Sequence, residues 1–457
     1  MKNSRWLSVL LVLVLLMSLC TSAFATDQQD ADDGGRLLSG LQPAHSVADN
    51  AANGQYKPGD QVRVIVLMNG QPTADNSGAM QSMFNTDAKL LREHSALKDR
   101  MDQKAIPYTV NFEYTALLNG MSLTVDYADL DDVAAMPGVS EVIIAAEYNL
   151  PVVQPNADTA SEMIGATDLG GAIGADGSGK VIAVLDTGIT ADHEAFGVYP
   201  GMLQTPAWEK VDMIKEIANL GHGMYYSAKI PYQYDYADQD NDATDDGSSH
   251  GSHVSGIAAG YVATDEGEIT FRGSAPDAQI LAMKVFASAS PTTSSDIYFA
   301  ALEDAYTLGA DVINMSLGSP NGFVEDAESV LNDRIFERLE NAGIICCISA
   351  GNENTMGEYA QNRTGGGYVT ADYADYGVLG SPASYNGNVA VASLENEAYP
   401  AYKINVNGEE YDYLRFTVLK DYHSYKDWSA KLRKVPAKEL ESIETIDALK
   451  SKLKEIN

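Results

Sequence analysis

The middle of this chain alternates short apolar runs with segments of helical periodicity. The runs typical of buried strands are 181–185, 278–286, 311–318, 344–348 and 388–393. Helical segments lie between them: 296–308, which Ser294 or Ser295 caps and Gly309 ends, and 325–341. Strands that alternate with helices at this spacing predict an α/β fold with a doubly wound, mostly parallel sheet.

A second pattern precedes this region. Strand-like runs at 62–67, 108–114, 120–125 and 139–145 enclose helical segments at 88–101 and 129–136. The order β-α-β-β-α-β predicts a small α+β module of the ferredoxin-like type. Residues 26–56 are rich in Asp, Ala, Gly, Gln and Ser, which predicts a flexible leader. After residue 395, Asn407-Gly408 predicts a hairpin turn, and 440–456 an amphipathic helix.

Residues 1–25 have the pattern of a secretory signal peptide. Lys2 and Arg5 precede an apolar stretch, and an Ala-Phe-Ala sequence at 23–25 predicts the cleavage site. The stretch is short for a membrane span. Cys20 also suggests a lipoprotein anchor, but Leu19 is larger than the small residue expected before such a cysteine. A secreted or cell-surface location is therefore expected.

Charge and cysteine content exclude several classes of protein. The formal net charge of −34 repels nucleic acid and anionic lipid, so neither is an expected partner. It would suit calcium or basic substrates without selecting between them. Cys346 and Cys347 are neighbours in a predicted strand and point to opposite faces, so we expect no disulfide between them. We expect both to be small strand hydrophobes.

Three polar residues beside small residues carry the candidate chemistry. Asp186 ends a predicted strand, His250 precedes a small-residue helix, and Asn352 follows the 344–348 strand. His250 alone would be interpreted as a buried histidine in a capped helix. Together the three predict acyl transfer, in which the aspartate orients the imidazole, the imidazole acts as base, and the amide donates to an oxyanion.

Asp186-Thr187-Gly188, the 250–256 stretch and the 349–352 stretch, in this order, resemble the motifs of the subtilisin-like serine proteases (subtilases). The resemblance implies a subtilisin-like catalytic domain at 158–394 and an Asp-His-Ser endopeptidase that cleaves proteins or peptides through an acyl-enzyme. It assigns Asp186, His250 and, in the oxyanion hole, Asn352. It also implies two substrate-binding stretches, Ser316, Leu317 and Gly318 and Ser349, Ala350 and Gly351.

The layout is most similar to that of the lactocepin-type cell-envelope proteinases. It implies that residues 57–150 are an inhibitory prodomain, acting as an intramolecular inhibitor, with a tail at 147–157 that occupies the cleft. A permanent structural domain is the alternative. Residues 395–457 would begin an inserted segment that leads to a protease-associated domain.

The resemblance lacks one element, since no serine after Asn352 follows Gly-Thr. Either the chain is the N-terminal portion of a protease whose nucleophile lies further on, or it is a non-catalytic peptide-binding or surface protein. No organic cofactor is implied. A calcium site in the acidic stretch is an alternative, because Asp238, Asp240 and Asp242 alternate as in a calcium loop. Ala243 and Ser249, however, depart from the EF-hand pattern. The acidic stretch 235–246 is expected to be a solvated loop, His253 a structural residue and His193 a turn residue.

Overall fold

The computed structural model describes residues 56–75, 80–149, 164–165, 175–245, 247–265, 267–288, 290, 292–319, 327–352, 379–393, 402–406 and 409–413. The predicted signal peptide, the leader up to residue 55 and the predicted C-terminal helix lie outside these residues. The chain divides into two units, residues 1–153 with 176–392, and residues 154–175 with 393–457.

The first unit begins with the small module. Its elements are β1 (Gln61–Met68), α1 (Met80–Gln103), β2 (Tyr108–Tyr114), β3 (Gly120–Asp126), α2 (Leu130–Ala134) and β4 (Val139–Ile144). The strands form an antiparallel sheet in the order β2-β3-β1-β4, which confirms the ferredoxin-like prediction. Two helix boundaries were predicted wrongly. α1 begins eight residues earlier than its apolar periodicity, and a 3₁₀ turn (Tyr127–Asp129) replaces the start of the second helix.

The remainder of the first unit is an α/β domain. Its elements are β5 (Glu147–Asn149), β6 (Val181–Asp186), α3 (Lys210–Leu220), β7 (Tyr232–Asp235), α4 (His250–Ala259), β8 (Tyr261–Ala263), β9 (Ile269–Arg272), β10 (Gln279–Lys284), β11 (Thr292–Ser294), α5 (Ser295–Thr307), β12 (Val312–Met315), α6 (Ala327–Asn341), β13 (Ile345–Ser349) and β14 (Val389–Val391). The sequence pattern did not predict α3, β7 or the short strands β5, β8, β9 and β11.

A parallel sheet organises this domain. Its strand order is β14-β13-β12-β6-β10-β7. Alternate residues of β6 point to opposite faces. Ile182 and Val184 therefore pack in the cluster that includes Ala259 of α4, whereas Ala183 and Leu185 pack in the cluster formed with α5 and α6. Both faces are covered by helices, which confirms the doubly wound α/β prediction.

The second unit is described only at β15 (Tyr402–Val406) and β16 (Glu409–Tyr413), which pair as an antiparallel hairpin. Val406 lies opposite Glu409, so the two strands flank Asn407-Gly408, where the sequence predicts a hairpin turn. Those two residues lie outside the described ranges. Among the residues that the structure describes, no helix combines the length and apolar character needed to cross a membrane.

Candidate active site

The end of β6 and the start of α4 bring the predicted aspartate and histidine together. Asp186 is the last residue of β6, and His250 is the first residue of α4. His250 Nδ1 lies 2.5 Å from Asp186 Oδ1, although 64 positions separate the two residues in the chain. The Thr187 N–H donates to the same carboxylate oxygen at 2.7 Å. Both side chains are buried, with the aspartate 1% and the histidine 6% exposed.

Burial and hydrogen bonding act in opposite directions on the Asp186 carboxyl. Burial raises its pKa, and the His250 imidazole and the Thr187 N–H oppose that rise. The negative charge of Asp245 raises the pKa of Asp186 further. Its second oxygen, Oδ2, is buried and accepts no hydrogen bond from the described residues. Such a carboxylate can hold the Nδ1–H tautomer of the imidazole and leave Nε2 to accept a proton.

Two glycines allow β6 and α4 to approach this closely. A Cβ atom on Gly251 would overlap the Gly188 carbonyl oxygen and lie 3.1 Å from Asp186 Cβ. Gly188 has φ +108°, and a Cβ there would overlap the Ala243 carbonyl oxygen. The small residues beside Asp186 and His250 are therefore a packing requirement of the pair.

Asp245 is a buried residue of this site that the sequence analysis missed. Its Oδ1 accepts hydrogen bonds from Thr187 Oγ1 at 2.8 Å and from the Ser249 N–H at 3.1 Å. Its Oδ2 accepts one from the Ser252 N–H at 3.0 Å. An aspartate shortly before a small-residue helix is a capping signal, and it was available in the sequence.

The prediction of a solvated acidic loop is wrong for Asp235 as well as for Asp245, which are 1% and 8% exposed. Asp235 Oδ2 pairs with Lys284 Nζ at 2.6 Å, and both side chains are buried at the carboxyl ends of neighbouring strands. Asp235 compensates the buried charge of Lys284, and the sequence did not reveal that Lys284 is buried. Asp238, Asp240 and Asp242 are exposed, as predicted.

The two predicted substrate-binding stretches lie at the carboxyl ends of β12 and β13, the same end of the sheet at which Asp186 ends β6. Ser349 Oγ donates to the Leu317 carbonyl oxygen at 3.2 Å, which connects the stretches directly. Leu317 and Ala350 are buried, and Ser316 and Gly318 are half-buried. Gly351, at φ +104°, and Asn352 are exposed. The carboxyl edge of the sheet therefore carries all the predicted site residues.

The segment after β4 reaches the same edge. β5 pairs antiparallel with β11, with Tyr148 opposite Thr293. The Tyr148 ring is 2% exposed and packs edge-to-face on Tyr298, with centroids 5.2 Å apart. Its hydroxyl lies 3.5 Å from Ser381 Oγ, and the Ser381 backbone pairs with Ser319, one residue after the 316–318 stretch.

A buried glutamate of α5 binds the small module. The Glu303 carboxylate accepts hydrogen bonds from the backbone N–H groups of Ala116, Leu117 and Leu118 at 2.6–2.8 Å, and from that of Thr115 at 3.3 Å. Burial raises the pKa of Glu303 to about 7, against the opposing effect of these donors. The β2–β3 loop is thus bound through its backbone by one side chain of the α/β domain.

Two ion pairs and a shared apolar core complete the contact between the module and the α/β domain. Arg63 Nη2 lies 2.6 Å from Asp296 Oδ2, and Arg338 Nε lies 2.7 Å from Asp75 Oδ1. One apolar cluster includes residues of both parts, among them Ile65, Leu67, Tyr114, Phe299, Leu302 and Phe336. The module is packed against α5 and α6 as one side of a continuous core.

The two other histidines and the first cysteine discussed in the sequence analysis lie in structural environments. His193 Nδ1 accepts a hydrogen bond from the Ala195 N–H, which confirms the turn prediction. His253 is half-buried. Burial is the main cause that lowers its pKa, and the charge of His250 is the second. Cys346 is buried in β13, where burial raises the pKa of its thiol to about 12. Within the described ranges, no group of three or more His, Cys, Asp or Glu side chains is arranged to hold a metal ion.

Sequence comparisons relate most of the chain to known proteins. The profile of the subtilase family matches residues 177–437. The PII-type proteinase of Lacticaseibacillus paracasei is 31% identical over 370 residues, which are 77% of this chain and 18% of that protein. The PIII-type proteinase of Lactococcus lactis subsp. cremoris (strain SK11) is 31% identical over 398 residues, 82% of this chain and 19% of that protein. The lactocepin-type resemblance is thereby confirmed.

A C5a peptidase of Streptococcus pyogenes is 32% identical over 222 residues, 48% of this chain and 18% of that protein. The chain therefore spans about a fifth of the length of the curated relatives it matches. Among solved structures, fervidolysin from Fervidobacterium pennivorans matches with a TM-score of 0.42 and 17% identity, covering 77% of this chain and 45% of that one.

Proposed function

Because the chain belongs to the subtilase family, we propose that it supplies the aspartate, histidine and oxyanion-binding asparagine of a serine endopeptidase. One observation carries the proposal, the 2.5 Å hydrogen bond between His250 Nδ1 and the buried Asp186 carboxylate. An imidazole held by this carboxylate has a fixed tautomer, and its Nε2 is available as a general base. The carboxylate also stabilises the imidazolium that forms when Nε2 takes up a proton.

In the proposed reaction, a serine encoded beyond Asn457 attacks the peptide carbonyl while His250 Nε2 removes its proton. His250 then returns this proton to the leaving amine, and water hydrolyses the acyl-enzyme by the reverse sequence. The Asn352 amide would donate to the oxyanion, and loss of one such donor costs about 10²- to 10³-fold in kcat. No organic cofactor takes part.

The substrate would bind along the partly exposed backbone of 316–318 and 349–351. These stretches are connected through Ser349 and Leu317, so a peptide bound to one would be held in register with the other. The backbone of both stretches lies at the carboxyl end of the sheet, as does Asp186. The proposed substrates are proteins or peptides.

Residues 57–150 would act as an inhibitory prodomain that is removed by cleavage after docking. Support comes from the pairing of β5 with β11 and from the burial of Tyr148 next to Ser381. Because the Ser381 backbone pairs with Ser319, next to the 316–318 stretch, a segment held there would hinder the binding of a substrate peptide to that stretch. The N-terminal pattern and the cell-envelope relatives support export to the cell surface or the medium.

The first test is to sequence the gene beyond the codon for Asn457 and to express the extended chain. An in-frame Gly-Thr-Ser before an apolar helix, with peptidase activity that Asp186→Asn lowers by about 10⁴-fold, is the expected result. Asp192→Asn is the matched control, because Asp192 is an exposed carboxylate on the loop after β6. Equal activity of the Asp186 variant and the parent would contradict the assigned role.

A second candidate function rests on the absence of Gly-Thr-Ser from these 457 residues. A protein with this scaffold and no nucleophile would bind peptides without cutting them. Labelling the 457-residue chain with a serine-directed phosphonate should leave it unmodified under either function. Stoichiometric labelling would show that a serine within the chain is activated, and would contradict both assignments.

A further inference from the structure

The loop before α4 contains a buried carboxylate that takes no part in the proposed proton transfer. Asp245 precedes His250 by five residues and is 8% exposed. Its partners lie on both sides of the aspartate–histidine pair. Thr187, which donates to Asp245 Oδ1, directly follows Asp186, whereas Ser249 and Ser252 flank His250. One side chain therefore fixes both chain segments that carry the pair.

The Thr187 hydroxyl extends this connection into the helix. Thr187 Oγ1 donates to Asp245 Oδ1 at 2.8 Å and accepts a hydrogen bond from the Gly251 N–H at 2.9 Å. A hydroxyl can donate one hydrogen bond while it accepts another, so both contacts form together. The turn after β6 and the first residues of α4 are thus joined through one hydroxyl and one carboxylate.

The backbone before His250 needs this support. Ser249 has φ +58°, a left-handed conformation that is strained for a non-glycine residue. Its N–H donates to Asp245 Oδ1, and its own side chain makes no capping hydrogen bond to α4. The Asp245 carboxylate instead accepts from the first turn of the helix through Ser252. Residues in such conformations persist where their surroundings hold them.

We propose that Asp245 is a positioning residue that sets the hydrogen bond between His250 and Asp186, with Thr187 as the link to the β6 turn. The inference rests on the proposed function of that pair. The charge of Asp245 also contributes to the raised pKa of Asp186, after burial as the main cause, so the two carboxylates are coupled electrostatically as well as through Thr187.

The test is nuclear magnetic resonance of the whole 457-residue chain. The Nδ1–H of an imidazole bonded to a buried carboxylate gives a strongly downfield proton signal, and the rate at which this proton exchanges with water is a second readout. Asp245→Asn and Thr187→Val should weaken the downfield signal and speed its exchange about tenfold, equivalent to ~1.4 kcal/mol. The reason is that a displaced carboxylate holds the Nδ1–H less firmly.

Two matched variants separate positioning from plain stability. Thr187→Ser keeps the hydroxyl and should restore both readouts, whereas Asp192→Asn removes a nearby exposed charge and should change neither. A merely structural role would lower the melting temperature of Asp245→Asn and leave the downfield signal and its exchange rate unchanged below that temperature. If Asp245→Asn does not fold, the Thr187 pair decides the question through the same two readouts.

The outcomes distinguish the two levels of inference. A downfield signal in the parent chain that persists unchanged in the folded Asp245→Asn or Thr187→Val chain would overturn the positioning role and leave the proposed function standing. Absence of the signal from the parent chain at every pH would overturn both. Loss of the signal in the two variants and its recovery in Thr187→Ser would establish Asp245 as a positioning residue.

Discussion

The binding of the N-terminal module should weaken as pH rises. The reason is that the Glu303 carboxyl loses its contact with water when it accepts hydrogen bonds from the backbone of the β2–β3 loop. When the module is docked, burial raises the pKa of Glu303 from its ordinary 4.5 to about 7. When the module is undocked, Glu303 is exposed and returns toward 4.5. The docked state therefore holds the proton more tightly. The stability that protonated Glu303 gives the docked state is complete below pH 4.5 and is lost as pH rises toward 7.

The size of the effect follows from these two values. Between a pKa of about 4.5 and one of about 7, the docked state loses about 3 kcal/mol by pH 7, or roughly 150-fold in the docking equilibrium. Glu303→Gln removes the titration and keeps an oxygen acceptor for the loop. Docking of this variant should be nearly independent of pH over the same range. Glu340→Gln, an exposed change on the neighbouring helix α6, is the control and should keep the parent slope.

The assay is amide hydrogen exchange of the four loop residues, 115–118, in the whole chain from pH 4.5 to 7. Their N–H groups are bonded to Glu303, so their protection, corrected for the intrinsic rate at each pH, reports undocking. Protection should fall with pH in the parent and stay level in Glu303→Gln. A rise in the parent would refute the reasoning, since it would mean that the four donors outweigh burial and that the docked carboxyl is the stronger acid.

Three further changes have defined outcomes. Gly251→Ala places a methyl group against the Gly188 carbonyl oxygen. It should lower the free energy of unfolding, measured by chemical denaturation, by about 1–3 kcal/mol and abolish the downfield His250 signal; unchanged stability would contradict the close approach. Tyr148→Ala should cost about 3–5 kcal/mol and expose 147–149 to added protease, whereas Tyr148→Phe should leave that segment protected. Lys284→Met leaves Asp235 buried without its cation and should lower the free energy of unfolding by about 3–5 kcal/mol. The double variant Lys284→Met/Asp235→Asn should recover most of this loss, and additive losses would contradict the ion pair.

Some parts of the structure could be predicted because their signals are local. A buried parallel strand needs a continuous apolar run, so β6, β10, β12 and β13 were visible in the sequence. Asp186 could be placed at the end of β6 because the run stops there. The small residues around His250 indicated close packing, and Gly251 against Gly188 confirms it.

Other parts could not be predicted because their partners are distant in the chain. Glu303 has no local signal, since its four donors belong to residues nearly 190 positions earlier. Asp235 and Asp245 lie in a stretch whose composition indicates a solvated loop, and both are buried against side chains distant in the chain, Lys284 for Asp235 and Thr187 for Asp245. α3 and β7 were also missed, because their short apolar patterns are interrupted by polar residues.

The sequence alone determined the order of β6, β10, β12, β13 and β14 along the chain, the position of Asp186, His250 and Asn352 at or near element ends, and the family resemblance. Periodicity and end signals involve only a few consecutive residues, so they survive without knowledge of the fold. Only the tertiary structure decided that Asp186 and His250 form a buried pair, that Asp245 caps the helix of that pair, and that Glu303 holds the module. Burial sets the charge state and bonding of a carboxylate, and burial depends on what the rest of the chain packs around it.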